Sequence, residues 1–126
     1  GNDAIDISGS EVILNKIEIN LAGDKAISIG EKSKVNANKL KIIDTFIGVA
    51  SKDFSRVFIK SLNVKNSKIC LASYQKKPEY GPGFINIEEL TKGCDSNYIL
   101  EDGSSILSNG YNLIPNTDNA YSELYE

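Results

Sequence analysis

Gly23-Asp24-Lys25-Ala26-Ile27-Ser28-Ile29-Gly30-Glu31 sets a pattern that returns as Ile47-Gly48-Val49-Ala50-Ser51-Lys52-Asp53. Its anchor pair, Ile27/Ile29, has counterparts upstream at Ile5/Ile7 and downstream at Val49/Ser51 and Leu71/Ser73, each spaced by 22 residues. Alternation with period two over a few positions predicts a short strand with one buried face. Two further strands follow in every copy: Val12/Leu14 and Ile17/Ile19, then Val35/Ala37 and Leu40/Ile42, then Val57/Ile59 and Leu62/Val64, then Ile85/Ile87 and Leu90. A unit of this size cannot bury its apolar face alone, so the copies are expected to stack.

The connection between the second and third strands is always two residues: Asn15-Lys16, Asn38-Lys39, Lys60-Ser61 and Glu88-Glu89. So short a corner predicts a sharp bend, which Asn suits because it tolerates the left-handed backbone region. Asn15 and Asn38 should stack about 4.8 Å apart and bond through their amides. A leucine-rich repeat overlaps in period but needs one strand and an irregular return per unit, whereas all three segments here alternate.

Three alternating strands, a 22-residue period and a stacked Asn corner resemble the right-handed parallel β-helix of the pectate-lyase-like superfamily. The stretches quoted above, together with Tyr74-Gln75-Lys76-Lys77-Pro78-Glu79-Tyr80-Gly81, are similar to β-helix repeat regions of bacterial proteins expected at the cell surface, whose function is generally unassigned. The resemblance covers residues 3–90. It implies an all-β solenoid of about four coils over residues 1–90, followed by a C-terminal β cap over 91–126. In that cap Tyr98-Ile99-Leu100, Ser105-Ile106-Leu107 and Tyr111-Asn112-Leu113-Ile114 read as strands, with Asn109-Gly110 a hairpin turn. Solenoid ends need covering. Nothing comparable precedes Ile5, so the N-terminal end is expected to be uncapped, continued by upstream coils or covered by another chain in an oligomer. The opening Gly1-Asn2-Asp3 reads as an internal cut or a processed terminus.

Composition narrows the chemistry. The chain has 126 residues, 40% apolar and 25% charged, the make-up of one soluble domain with no apolar run that could span a bilayer. A net charge of −3 argues against nucleic acid as a partner. There is no His, which removes Ser-His-Asp and Cys-His sites and imidazole metal ligands.

Strict alternation would place Ala4 and Asp6, Ala26 and Ser28, Gly48 and Ala50, and Cys70 and Ala72 on the outside of the first strands. In pectate-lyase-like enzymes the equivalent face carries the acidic and basic groups that bind metal or take a proton from a uronate. Here only Asp6 remains, so no catalytic residue is assigned. A smooth face of this kind suits the cap, another chain or a sugar. Cys94 lies where the tail leaves the last coil; a Cys70–Cys94 disulfide would close a loop worth roughly 3 kcal/mol and imply an oxidising compartment, with two free thiols the alternative.

The corner after the first strand is the most chemically loaded place. Glu31 and Asp53 share a repeat position one coil apart, so a cation such as Lys52 or Lys32 should stand near them. In the fourth copy this corner grows from five to eleven intervening residues, bringing Tyr74, Lys76, Lys77 and Tyr80 as charge and stacking surface for an acidic sugar. A solvated salt-bridge ladder is the plainer reading of the carboxylates. No cofactor is expected; calcium is conceivable on stacked carboxylates, but no calcium loop is present. The expected function is a non-catalytic β-helical module of a secreted or cell-surface protein, structural or binding polysaccharide or another protein chain. The alternative is the C-terminal fragment of a polysaccharide lyase, hydrolase or epimerase acting on acidic polysaccharide.

Overall fold

The computed structural model of the chain describes residues 3–125; Gly1 and Asn2 of the opening, and Glu126, lie outside the described residues. Among the described residues nine strands and one short helix follow one another: β1 (Ile5–Ser8), β2 (Glu11–Asn20), β3 (Lys25–Gly30), β4 (Lys34–Ile43), β5 (Ile47–Lys52), β6 (Arg56–Tyr74), β7 (Phe84–Leu100), β8 (Ser105–Ser108), β9 (Tyr111–Asn112) and α1 (Ala120–Tyr125). Every pairing between strands is parallel except the β8–β9 hairpin, so the chain winds as a β-solenoid of about five coils, consistent with a parallel β-helix.

The register reproduces the columns expected from the period. Ile5, Ile27, Val49 and Leu71 are aligned coil on coil, and Tyr98 adds a fifth member. On the second strands the column is Val12, Val35, Val57, Ile85 and Ile106, and on the third it is Ile17, Leu40, Leu62 and Leu90. Stacking removes these side chains from water almost completely in the central coils, with Ile27, Val49 and Leu71 at 0% exposure. Each such burial is worth about 1.5–3 kcal/mol. Ser51 breaks the apolar column that starts at Ile7 and Ile29, and its hydroxyl is satisfied by Ser55 Oγ at 2.7 Å and by the backbone of Phe84.

The corners differ in their chemistry. At the first, Glu31 and Lys32 both have positive φ, as do Asp53 and Phe54, and the backbone closes from Ser33 N to Gly30 O and from Ser55 N to Lys52 O. This is the pattern of a type I′ turn, repeated one coil apart. Lys32 N donates to Asp53 O at 2.9 Å, tying the two turns together. The two-residue corner behaves otherwise than expected. Its Asn residues are not left-handed, and β2, β4, β6 and β7 run through it without a break. The amide stack does form, with Asn38 Nδ2 donating to Asn15 Oδ1 at 2.9 Å. Left-handed residues sit instead at the third corner, where Leu21, Asp44 and Asn66 share a repeat position.

Two further expectations need correction. Winding continues past residue 90: Ser96–Leu100 pair with Ile69–Ser73 and β8 pairs with Phe84–Ile87, so the parallel strands reach Ser108, and an isolated parallel bridge joins Glu101 to Thr117 beyond them. The step from Leu71 to Tyr98 exceeds the period because the long corner intervenes. The second correction concerns the first-strand face. Ala26 and Cys70 belong to the main core beside their neighbours Ile27 and Leu71, and a Cβ on Gly48 would sit 2.9 Å from Val64 Cγ1. Alternation fails there because the chain is still turning into the strand. Ser28, Ala50 and Ala72 do point away from the main core. A second apolar cluster of Ile47, Ala50, Ile69, Ala72 and Tyr74 is closed by Ala120, Leu124 and Tyr125 of α1, so part of the cap lies across this face.

Candidate functional site

The stacked first corners and the long loop that follows Tyr74 together build a polar concavity. Asp53 organises it. Its positive φ turns the side chain under the loop, where it is fully buried and Oδ1 accepts hydrogen bonds from Lys76 N at 2.8 Å and Lys77 N at 2.9 Å. Oδ2 is buried without a partner. Gln75 holds the loop from within, donating its amide to Lys77 O at 3.1 Å and Tyr80 O at 2.7 Å. Gly81 and Gly83 allow the loop to approach the coil beneath it: a Cβ on either would collide with the Phe54 ring or with Ser51 O. Glycine is required there for lack of space.

So anchored, the loop projects Lys76 and Lys77 over the corner, and a groove of about 190 Å³ opens beneath them. Glu31, Lys52 and Asp53 line it from the corners, and Asp6, Ser8 and Gly30 complete it from the first two coils. Lys77 is ion-paired with Glu31. Hydrogen bonds from Lys77 and then from Ser8 (2.5 Å) hold the Glu31 carboxyl below the usual carboxylate range, and the Glu31 partner raises Lys77.

Lys52 is the exception to this pairing. Its stem lies over Gly30, and Nζ donates to Ser28 Oγ at 2.7 Å. Among the described residues no carboxylate comes within 4.0 Å of that ammonium. Burial, then the like charges of Lys25 and Lys76, push its pKa below the ordinary 10.5; Asp6 and Asp3 oppose this at longer range. An ammonium withdrawn from water and facing two others is a site short of an anion.

Five of the residues singled out from sequence, Glu31, Lys52, Asp53, Lys76 and Lys77, therefore meet in one groove. The two tyrosines do not line it. Tyr74 is fully buried, its hydroxyl bonded to the Tyr125 hydroxyl at 2.6 Å, and burial drives its pKa far upward, so it is no stacking surface for a ligand. Tyr80 packs edge-on against Phe54 with centroids 6.5 Å apart. Asp53 is a loop anchor rather than a rung of a salt-bridge ladder. Sequence reading passed over Ser8 and Ser28, whose hydroxyls hold Glu31 and Lys52; a serine carries no periodic signal that would have separated them from surface polar residues.

Cys70 and Cys94 are bonded, with Cα atoms 5.8 Å apart, and Cys70 is fully buried in the core rather than outward-facing. The bond ties the first strand of one coil, at Cys70, to the corner that leads into the next coil, at Cys94. Among the described residues, no cluster of three or more acidic or thiol side chains is placed to hold a metal ion. None of their helices is long and apolar enough to cross a membrane. What the groove can do is bind. It offers the Lys52 ammonium, those of Lys76 and Lys77 at its rim, and a buried carboxylate that shapes the loop. Compared with known protein families, curated proteins and solved structures, the chain matches none of them, so its function is argued from this fold and this groove.

Proposed function

We propose that this chain is a non-catalytic β-helical module, of the pectate-lyase-like type, from a secreted or cell-surface protein, and that it binds a carboxylate-bearing polysaccharide in the Lys52 groove. The observation that carries this reading is the placement of Lys52: half-buried, bonded only to a neutral serine hydroxyl, and without a carboxylate within ion-pair distance among the described residues. A uronate carboxylate placed between Lys52 and Lys76 would supply the missing countercharge. The carboxylates already in the groove are occupied or remote, since Glu31 is engaged by Lys77 and Asp53 by the loop backbone.

A stacked scaffold suits a polymeric ligand because its coils repeat at about 4.8 Å along a rigid axis. The disulfide supports an oxidising location. Absence of His and the single carboxylate, Asp6, on the outer first-strand column of Asp6, Ser28, Ala50 and Ala72 support a binding role over catalysis.

The test is calorimetric titration of the full chain with an oligogalacturonate and with a neutral oligosaccharide of equal length. Binding of the acidic oligomer, weakened at least tenfold by Lys52→Gln and less by Lys76→Ala or Lys77→Ala, is the expected result. Equal affinity in Lys52→Gln, or no affinity for any acidic glycan, overturns the reading.

A further inference from the structure

A second groove, of about 220 Å³, shares no residue with the first and lies on the outward side of the second strands. Register places Asn36, Phe58 and Asn86 in one column on β4, β6 and β7. Two positions further along the same strands stand Asn38, Lys60 and Glu88. Coils repeat at about 4.8 Å, so Phe58 lies between two carboxamides, one a coil away on either side.

Three features separate this groove from ordinary solvated sheet surface. Phe58 is half-buried and fixed in place: Phe84 packs against it at 5.5 Å between centroids, and the Arg56 guanidinium lies 5.3 Å from each ring. The flanking amides are free. Asn38 is committed to Asn15, but among the described residues no hydrogen bond engages the side chains of Asn36 or Asn86. The charges balance, with Lys60 and Glu88 on the rim and no ion pair joining them.

An aromatic surface flanked by amides is the chemistry that recognises a pyranose ring: apolar C–H groups lie on the aromatic side chain, and carboxamides donate to and accept from neighbouring hydroxyls. Lys60 and Glu88 offset one another on the rim and the Arg56 guanidinium is taken up by the Phe58 and Phe84 rings, so the lining itself carries no net charge to favour an acidic sugar. Its volume falls below the roughly 300–1,000 Å³ of pockets that enclose drug-sized ligands, which suits a single ring. We propose that the Asn36–Phe58–Asn86 column is a second glycan site, taking one uncharged pyranose unit, independent of the Lys52 groove.

The proposal is tested by nitrogen-15 NMR titration of the full chain with methyl glucoside, methyl galactoside, methyl mannoside and N-acetylglucosamine. At least one of these should shift the side-chain amide signals of Asn36 and Asn86 and the backbone signals of Phe58–Lys60, in wild type and in Lys52→Gln alike. Phe58→Leu, which keeps an apolar side chain of similar bulk, should weaken that binding at least fivefold, and Asn86→Ala should weaken it without altering the melting temperature by more than a few degrees. Silence of these signals with all four sugars, shifts confined to the Lys52 groove, or undiminished binding in both variants overturns the proposal. Because uronate binding is read separately in Lys52→Gln, failure at one groove leaves the other reading standing.

Discussion

Lys52 reaches back one coil across Gly30 to bond Ser28 Oγ at 2.7 Å, so the ammonium of the third coil is held on the surface of the second. That reach depends on Gly30 having no side chain, since a Cβ there would stand 3.3 Å from both Cγ and Cε of Lys52. Gly30→Val should lift the lysine out of the groove and reduce uronate affinity by about the same factor as Lys52→Gln, about tenfold or 1.4 kcal/mol. Calorimetry on the two variants and their combination checks it: the double variant should be no weaker than either single one.

Affinity for the acidic oligomer should fall as pH rises into the alkaline range, beginning below 10.5, because burial together with Lys25 and Lys76 holds the Lys52 ammonium under that value while Asp6 and Asp3 only partly offset them. Proton uptake on binding at pH 9, seen as a buffer-dependent heat, is the direct measurement. Lys52→Arg keeps its charge throughout and should flatten the profile.

Stability has the opposite dependence on Lys52. A lysine whose folded pKa is lowered releases its proton more readily in the folded state, so its contribution rises with pH between that lowered value and 10.5. Glu31 works at the acid end. Its depressed carboxyl contributes stability that is present above 4.5 and lost as pH falls through its lowered value, and the raised Lys77 contributes below 10.5 and is lost above it. Glu31→Gln should remove the acid-side term, with only a small effect near neutral pH because solvent screens the pair. Urea melts from pH 3 to 8 measure it.

Asp53→Ala should cost about 3 kcal/mol, since two loop N–H groups lose a buried acceptor. It should also weaken uronate binding by releasing Lys76 and Lys77, whereas Asp53→Asn, which keeps an acceptor oxygen, should cost less. Denaturant midpoints and hydrogen exchange at Lys76 and Lys77 distinguish loss of the loop from loss of the coils.

Reduction of the Cys70–Cys94 bond should lower stability by about 3 kcal/mol. A thiol titration of the denatured, unreduced chain should find no free thiol, and Cys70→Ala/Cys94→Ala should reproduce the loss while leaving the uronate groove intact.

Most of the fold was legible because strand alternation is a local property. Whether Ile27 or Val35 points inward follows from the pleat and the burial of one face, and equal spacing then stacks Ile5, Ile27, Val49 and Leu71 without further information. The candidate site was half legible: a carboxylate at the same position in successive copies marked Glu31 and Asp53, but not that one would pair with Lys77 and the other hold a loop. Tyr74 read as exposed because its partner, Tyr125, is distant in sequence.

By itself, then, the sequence determined the period, the inward columns and the corner that gathers charge, all consequences of interactions between residues at fixed short spacings. Only the tertiary structure decided that Ala26, Gly48 and Cys70 turn inward, that residues 96–108 wind a further coil after an irregular interval, and that α1 closes over Ala50 and Ala72. These depend on contacts between segments far apart in the chain, where no repeat links one partner to the other and packing alone selects the arrangement.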